Sequence, residues 1–181
     1  WSNGVPDHPG DHATLIGPGR FAATVNVSRP ITLGELTHRN AISGINGLGS
    51  LWFDNPGADP AKLTVEGGST GTLSTTIGVP IGVVAGEELA LEIRNGVTLN
   101  LTGGIAAGSS PIDITGGGQL RLTADSSAWT GALEISGGTL SIEHTKALAG
   151  AQIITARNGA FVTVPSQDST PETSRDDYVF S

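Results

Sequence analysis

The sequence predicts an all-β chain wound as a single-domain parallel β-helix, a solenoid of short strands joined by glycine-rich turns. Three observations predict it. Of 181 residues, 27 are glycine and only 14% are charged, while 61 are threonine, valine, isoleucine or leucine, which fit a pleated and half-buried surface. A degenerate repeat runs through the middle of the chain. Its two classes of three-residue strand alternate in a fixed order, and glycine follows one class almost at once.

The first class is Leu51–Phe53, Leu99–Leu101, Leu120–Leu122 and Leu140–Ile142, each reading apolar, other, apolar, which marks a strand with one buried face. The second is Leu63–Val65, Leu91–Ile93, Ile112–Ile114 and Leu133–Ile135, followed by Gly67-Gly68, Asn95-Gly96, Gly116-Gly117-Gly118 and Gly137-Gly138. In register, the chain from Leu51 to Phe161 becomes five windows of about 20 to 26 residues, each the size of one coil. Strands this short cannot bury an apolar face alone. Stacked coils bury a continuous core and pair each strand with its counterparts about 4.8 Å above and below. An antiparallel sandwich also has short strands at regular spacing, but hairpins do not require the fixed alternation. Upstream, His12–Ile16, Thr24–Val27 and Ile31–Leu36 complete the first coils, and downstream Gln152–Thr155 and Ala160–Val164 add the last. The 72–96 window is the longest, and its Gly78, Pro80, Gly82 and Gly86 predict a bulge or loop leaving the coil. Residues 1–165 form the module, and 166–181 an extended arm whose Tyr178-Val179-Phe180 caps the final coil.

Nine basic against seventeen acidic residues give a net charge of −8. Without a basic patch, that balance repels a phosphate backbone or an anionic membrane, so neither nucleic acid nor membrane insertion is expected. The absence of cysteine removes disulfides, thiol nucleophiles and thiolate metal sites. No apolar run has the length of a membrane span. A chain starting at Trp1 without a signal peptide reads as a mature protein or a module cut from a longer one. The four histidines, His8, His12, His38 and His144, form no i, i+4 pair for zinc. His8 and His12 with Asp7 and Asp11 read as a turn seating the first coil. No G-x-S-x-G elbow occurs, and the glycine run at Thr115–Gly118 lacks the Lys-Ser/Thr of a phosphate loop.

The opening Trp1-Ser2-Asn3-Gly4-Val5-Pro6, with Gly10-Asp11-His12-Ala13, resembles the start of bacterial proteins carrying autotransporter-associated β-strand repeats. The run Trp129-Thr130-Gly131-Ala132-Leu133-Glu134-Ile135-Ser136-Gly137-Gly138-Thr139-Leu140 resembles the repeat itself. In size and fold the chain is also similar to β-helical carbohydrate-binding modules attached to plant-polysaccharide hydrolases, notably bacterial xylanases. The resemblance implies a secreted or cell-surface, non-catalytic module that binds a plant cell-wall polysaccharide, xylan first, and is fused to a glycoside hydrolase. The alternative is a structural passenger scaffold of a surface adhesin without glycan binding.

Side chains between two inward apolar residues point outward. In the first class that column reads Trp52, Ser74, Asn100, Arg121 and Ser141. Trp52 offers an apolar plate for a sugar ring, or else is covered by the arm near Pro171 or the 72–96 loop. The second column reads Thr64, Glu92, Asp113 and Glu134, with Arg94, Thr115 and Ser136 facing the same way. Carboxylates one coil apart raise each other's pKa, bridge a cation such as calcium, or hold sugar hydroxyls. Their separation also suits a retaining glycosidase, a third and less favoured reading because a smooth solenoid gives little wall. A merely solvated acidic face is the remaining alternative. Trp1 and Trp129 stand where the repeats pack an aromatic, although Trp129 precedes a glycine turn and could project. The candidate carbohydrate-binding set is therefore Trp52, Asn100, Arg121, Glu92, Arg94, Asp113, Glu134 and Trp129, with no catalytic residue and no metal site.

Overall fold

A computed structural model describes residues 5–16, 23–39, 42–67 and 73–164. They form a parallel β-solenoid of about 6 turns with no helix. The first turn holds β1 (His12–Ile16), β2 (Ala23–Val27) and β3 (Ile31–Leu33). The second holds β4 (Glu35–Arg39), β5 (Ile42–Gly47) and β6 (Leu51–Phe53), and the third β7 (Ala61–Glu66), β8 (Leu73–Ile77) and β9 (Ile81–Val83). Then come β10 (Leu89–Ile93) with β11 (Val97–Leu101), β12 (Ile112–Thr115) with β13 (Gln119–Leu122), and β14 (Ala132–Ser136) with β15 (Thr139–Ile142). Finally β16 (Ile153–Arg157) and β17 (Phe161–Thr163) lie on the last of these. Strands in equivalent places pair in parallel, giving two seven-stranded sheets and a three-stranded third.

Period-2 alternation produces the core. Leu36, Leu63, Leu91, Ile114 and Ile135 stack in one inward line of the first sheet. Ile45, Ile77, Leu101, Leu122 and Ile142 do so in the second, and Ile31, Leu51 and Ile81 in the third. All are buried, so each turn covers the apolar face its neighbour would otherwise expose. Beyond β9 the third side continues irregularly, through the single bridges Ile81–Ile105 and Gly108–Trp129. The corner between the first and second sheets is sharp. Gly116 turns it with φ +95°, where a Cβ would stand 2.2 Å from the Ile93 carbonyl oxygen, a position no other residue fits.

Four sequence expectations change. The chain has three sides rather than two, and Leu51–Phe53 lies in the third sheet between β3 and β9, not beside β11. Ser74 aligns with Thr98, and Thr76 is the neighbour of Asn100. Glu92 aligns with Thr64 and Thr115, whereas Asp113 stands between Ala90 and Glu134. These last two are slips of two residues, which leave every side chain on its proper face and so are invisible to period-2 patterning. No loop leaves the coil at the described part of the 72–96 window, because β8, β9 and β10 continue the winding there. Its length is real, since Leu89 opposes Ala61, 28 residues earlier, whereas Leu133 opposes Ile112, 21 earlier. Trp1 and the 166–181 arm lie outside the described residues.

Candidate functional site

The three outward faces differ in chemistry, and the candidate residues are divided among them. On the third sheet Trp52 stands between Thr32 and Gly82. Its six-membered ring covers the bare Cα of Gly82, where a Cβ would come within 2.6 Å of both Cε3 and Cζ3. The indole Nε1 donates to Ser50 Oγ at 3.0 Å. Glycine below and a hydroxyl beside thus fix one orientation of the ring, and the residue stays half-buried, with apolar surface left to water.

On the second sheet Asn100 and Arg121 are adjacent. Asn100 donates to Ser74 Oγ and to the Thr75 carbonyl oxygen, both at 3.0 Å, and its own Oδ1 accepts from Arg121 at 3.2 Å. Arg121 makes a forked pair with Glu143, Nε–Oε1 2.6 Å and Nη2–Oε2 2.7 Å, and Ser141 donates to the same carboxylate. The Arg121 hydrogen bond holds the Glu143 carboxyl below its usual range and raises the guanidinium in return. A hydrogen-bonded row therefore crosses four strands, and its polar atoms largely satisfy one another.

The first sheet is a ladder of ion pairs. Glu66 receives Arg39 at 2.6 Å and Arg94 at 3.0 Å, while Glu92 receives Lys62 at 3.3 Å and Arg94 at 3.7 Å. Glu134 receives Arg157 at 3.0 Å. Glu92 and Arg94 are thus engaged with each other and their neighbours. Asp113 differs. Its Oδ1 is buried without a hydrogen-bond partner, and burial first, then the Glu134 charge, pushes its carboxyl above the ordinary range. Asp113 and Glu134 border a groove of about 360 Å³ with Glu88, Pro111, Ala132 and Thr155. The two carboxyls stand side by side on paired strands, where their oxygens can bond hydroxyl groups. Among the described residues no group of three or more acidic or histidine side chains is placed to hold a metal ion, so the calcium expectation gains no site there.

Trp129 leaves the set as a correction. It is 1% exposed, its Nε1 donates to the Ser110 carbonyl oxygen at 3.1 Å, and its ring fills the space above Gly131, where a Cβ would meet Cε2 and Cζ2 at 2.7 Å. A ring so enclosed meets no ligand. The acidic turn is as expected, since Asp11 Oδ2 accepts the amides of Asp7 and His8. Sequence reasoning missed Ser50, Gly82 and Glu143, the groups that hold Trp52 and Arg121. A usable signal existed for Gly82, a gap at the outward position of the apolar Ile81–Val83. No protein-family model, curated protein or solved structure matches the chain.

Proposed function

We propose that the protein is a non-catalytic carbohydrate-binding module for a plant cell-wall polysaccharide, xylan first, with the third sheet as its contact face. The observation that carries this reading is the seating of Trp52 over Gly82 with Nε1 tied to Ser50. An aromatic ring held in one orientation on a sheet stacks on a pyranose without losing further freedom on binding. The other two faces support it less, because apart from Asp113 their charged groups are largely paired with one another, and a new contact to a hydroxyl there must first break a bond. The similarity in size and fold to β-helical carbohydrate-binding modules of polysaccharide hydrolases supports the same role, with a fused hydrolase as catalytic partner.

Affinity electrophoresis in gels containing xylan, mixed-linkage β-glucan or pectin tests it. Wild-type protein should be retarded by xylan, and Trp52→Ala should migrate as if no glycan were present. If no glycan retards the wild type, the module is a scaffold.

A further inference from the structure

We propose that the bound glycan runs along the solenoid axis, from the Trp52 ring, which covers Gly82, onto Ala106, so that Ala106 floors a second sugar position. The inference rests on Trp52 acting as the stacking plate. Trp52 does not stand upright on its own strand. Its ring leans one turn toward the C-terminus, onto Gly82. The next residue in that outward line is Ala106. The Ile81–Ile105 bridge and the Ala106 amide bond to the Ile81 carbonyl oxygen, 2.7 Å, place it directly beyond Gly82. Gly82 lies buried beneath the indole, and past the ring the half-buried Ala106 raises nothing taller than a methyl group along this line.

Across the strands the way is different. Ser50 flanks Trp52 on one side, and in its line stand the exposed rings of Pro30 and Pro80, since Ile31, Leu51 and Ile81 are paired neighbours. Stacked strands repeat at about 4.8 Å, close to the length of one sugar in an extended β-linked chain. A chain on the axial track therefore meets one turn per sugar, whereas a crosswise chain climbs over proline after a single ring.

Two matched obstacles separate the directions. Ala106→Arg and Pro80→Arg place the same long side chain on the axial and the crosswise path, and retardation of each is measured in xylan gels against wild type. The expected result is that Ala106→Arg weakens binding by about tenfold or more while Pro80→Arg leaves it near wild type. Loss in Pro80→Arg with an unchanged Ala106→Arg overturns the axial path and leaves glycan binding standing. A wild type that no glycan retards overturns the module reading itself, and the path with it. Thermal melts check folding, and if Ala106→Arg does not fold, Ala106→Gln replaces it with the same expected order.

Discussion

His38 Nε2 and Thr75 Oγ1 meet at 3.1 Å in the buried interior of the coil, joining β4 to β8. His38 is 1% exposed, its Nδ1 has no partner, and its strand neighbours Leu15 and Val65 offer no counter-charge. Burial therefore holds the imidazole below its ordinary 6.5, only partly offset by its own backbone. Above that value both folded and unfolded chains are neutral there. As pH falls through about 6.5 the unfolded chain takes up a proton that the folded one refuses, so stability is full above this window and drops below it. Melting curves from about pH 8 to 5 should show the wild type losing more than His38→Gln, and parallel curves would exclude the effect.

Asp113 carries the opposite sign. Its folded carboxyl titrates above the ordinary 3.8, so as pH rises through that value the unfolded chain releases its proton first and the folded state is penalised. Asp113→Asn removes the penalty and should raise the melting temperature at neutral pH. The advantage should vanish as pH falls below the ordinary 3.8, where the Asp113 carboxyl is protonated in the folded and the unfolded chain alike. A variant less stable than wild type at pH 7 would mean that the Oδ1 atom has a partner in solution.

Alternation made most of the fold readable. Leu99–Leu101 over Leu120–Leu122 over Leu140–Ile142, and Ile112–Ile114 over Leu133–Ile135, stand in the register their spacing predicts. What alternation could not separate was the third side, because Leu51–Phe53 has the same apolar spacing as the second-sheet strands, and which sheet it joins is set by turn lengths. The two-residue slips at Ser74 and Glu92 have the same origin. The candidate site was less legible for a related reason. A side chain's partners lie one turn away at an interval that varies, so Glu143 beside Arg121 and Gly82 beneath Trp52 emerge only when the turns are counted correctly. Burial of Trp129 was foreshadowed by the packing role of aromatics before Gly-x-Leu strands, yet exposure itself depends on Ser110 and Gly131.

Leu120→Ala should lower stability by about 2 to 5 kcal/mol, since neighbours held by ladder bonds above and below relax little into the cavity. Leu120 is 2% exposed and stands between Leu99 and Leu140. Ser141→Ala removes one bond to the partly exposed Glu143 and should change stability by under about 1 kcal/mol. Denaturant melts that reverse the order of the two would contradict the inward and outward assignment of the second sheet.

Gly82→Ala isolates the plate from the stability of the coil. The added methyl group falls within 2.6 Å of two ring carbons, too close for any contact, and the obstacle is the far end of a side chain free to turn. The indole is expected to swing off the sheet, giving up its bond to Ser50, while the backbone pairing of β6 with β9 persists. The loss of stability should accordingly stay near about 1 kcal/mol, with a changed near-ultraviolet tryptophan dichroism and abolished retardation by xylan. Retained binding in a variant whose tryptophan signal has moved would show that the seated orientation of Trp52 is not what the glycan requires.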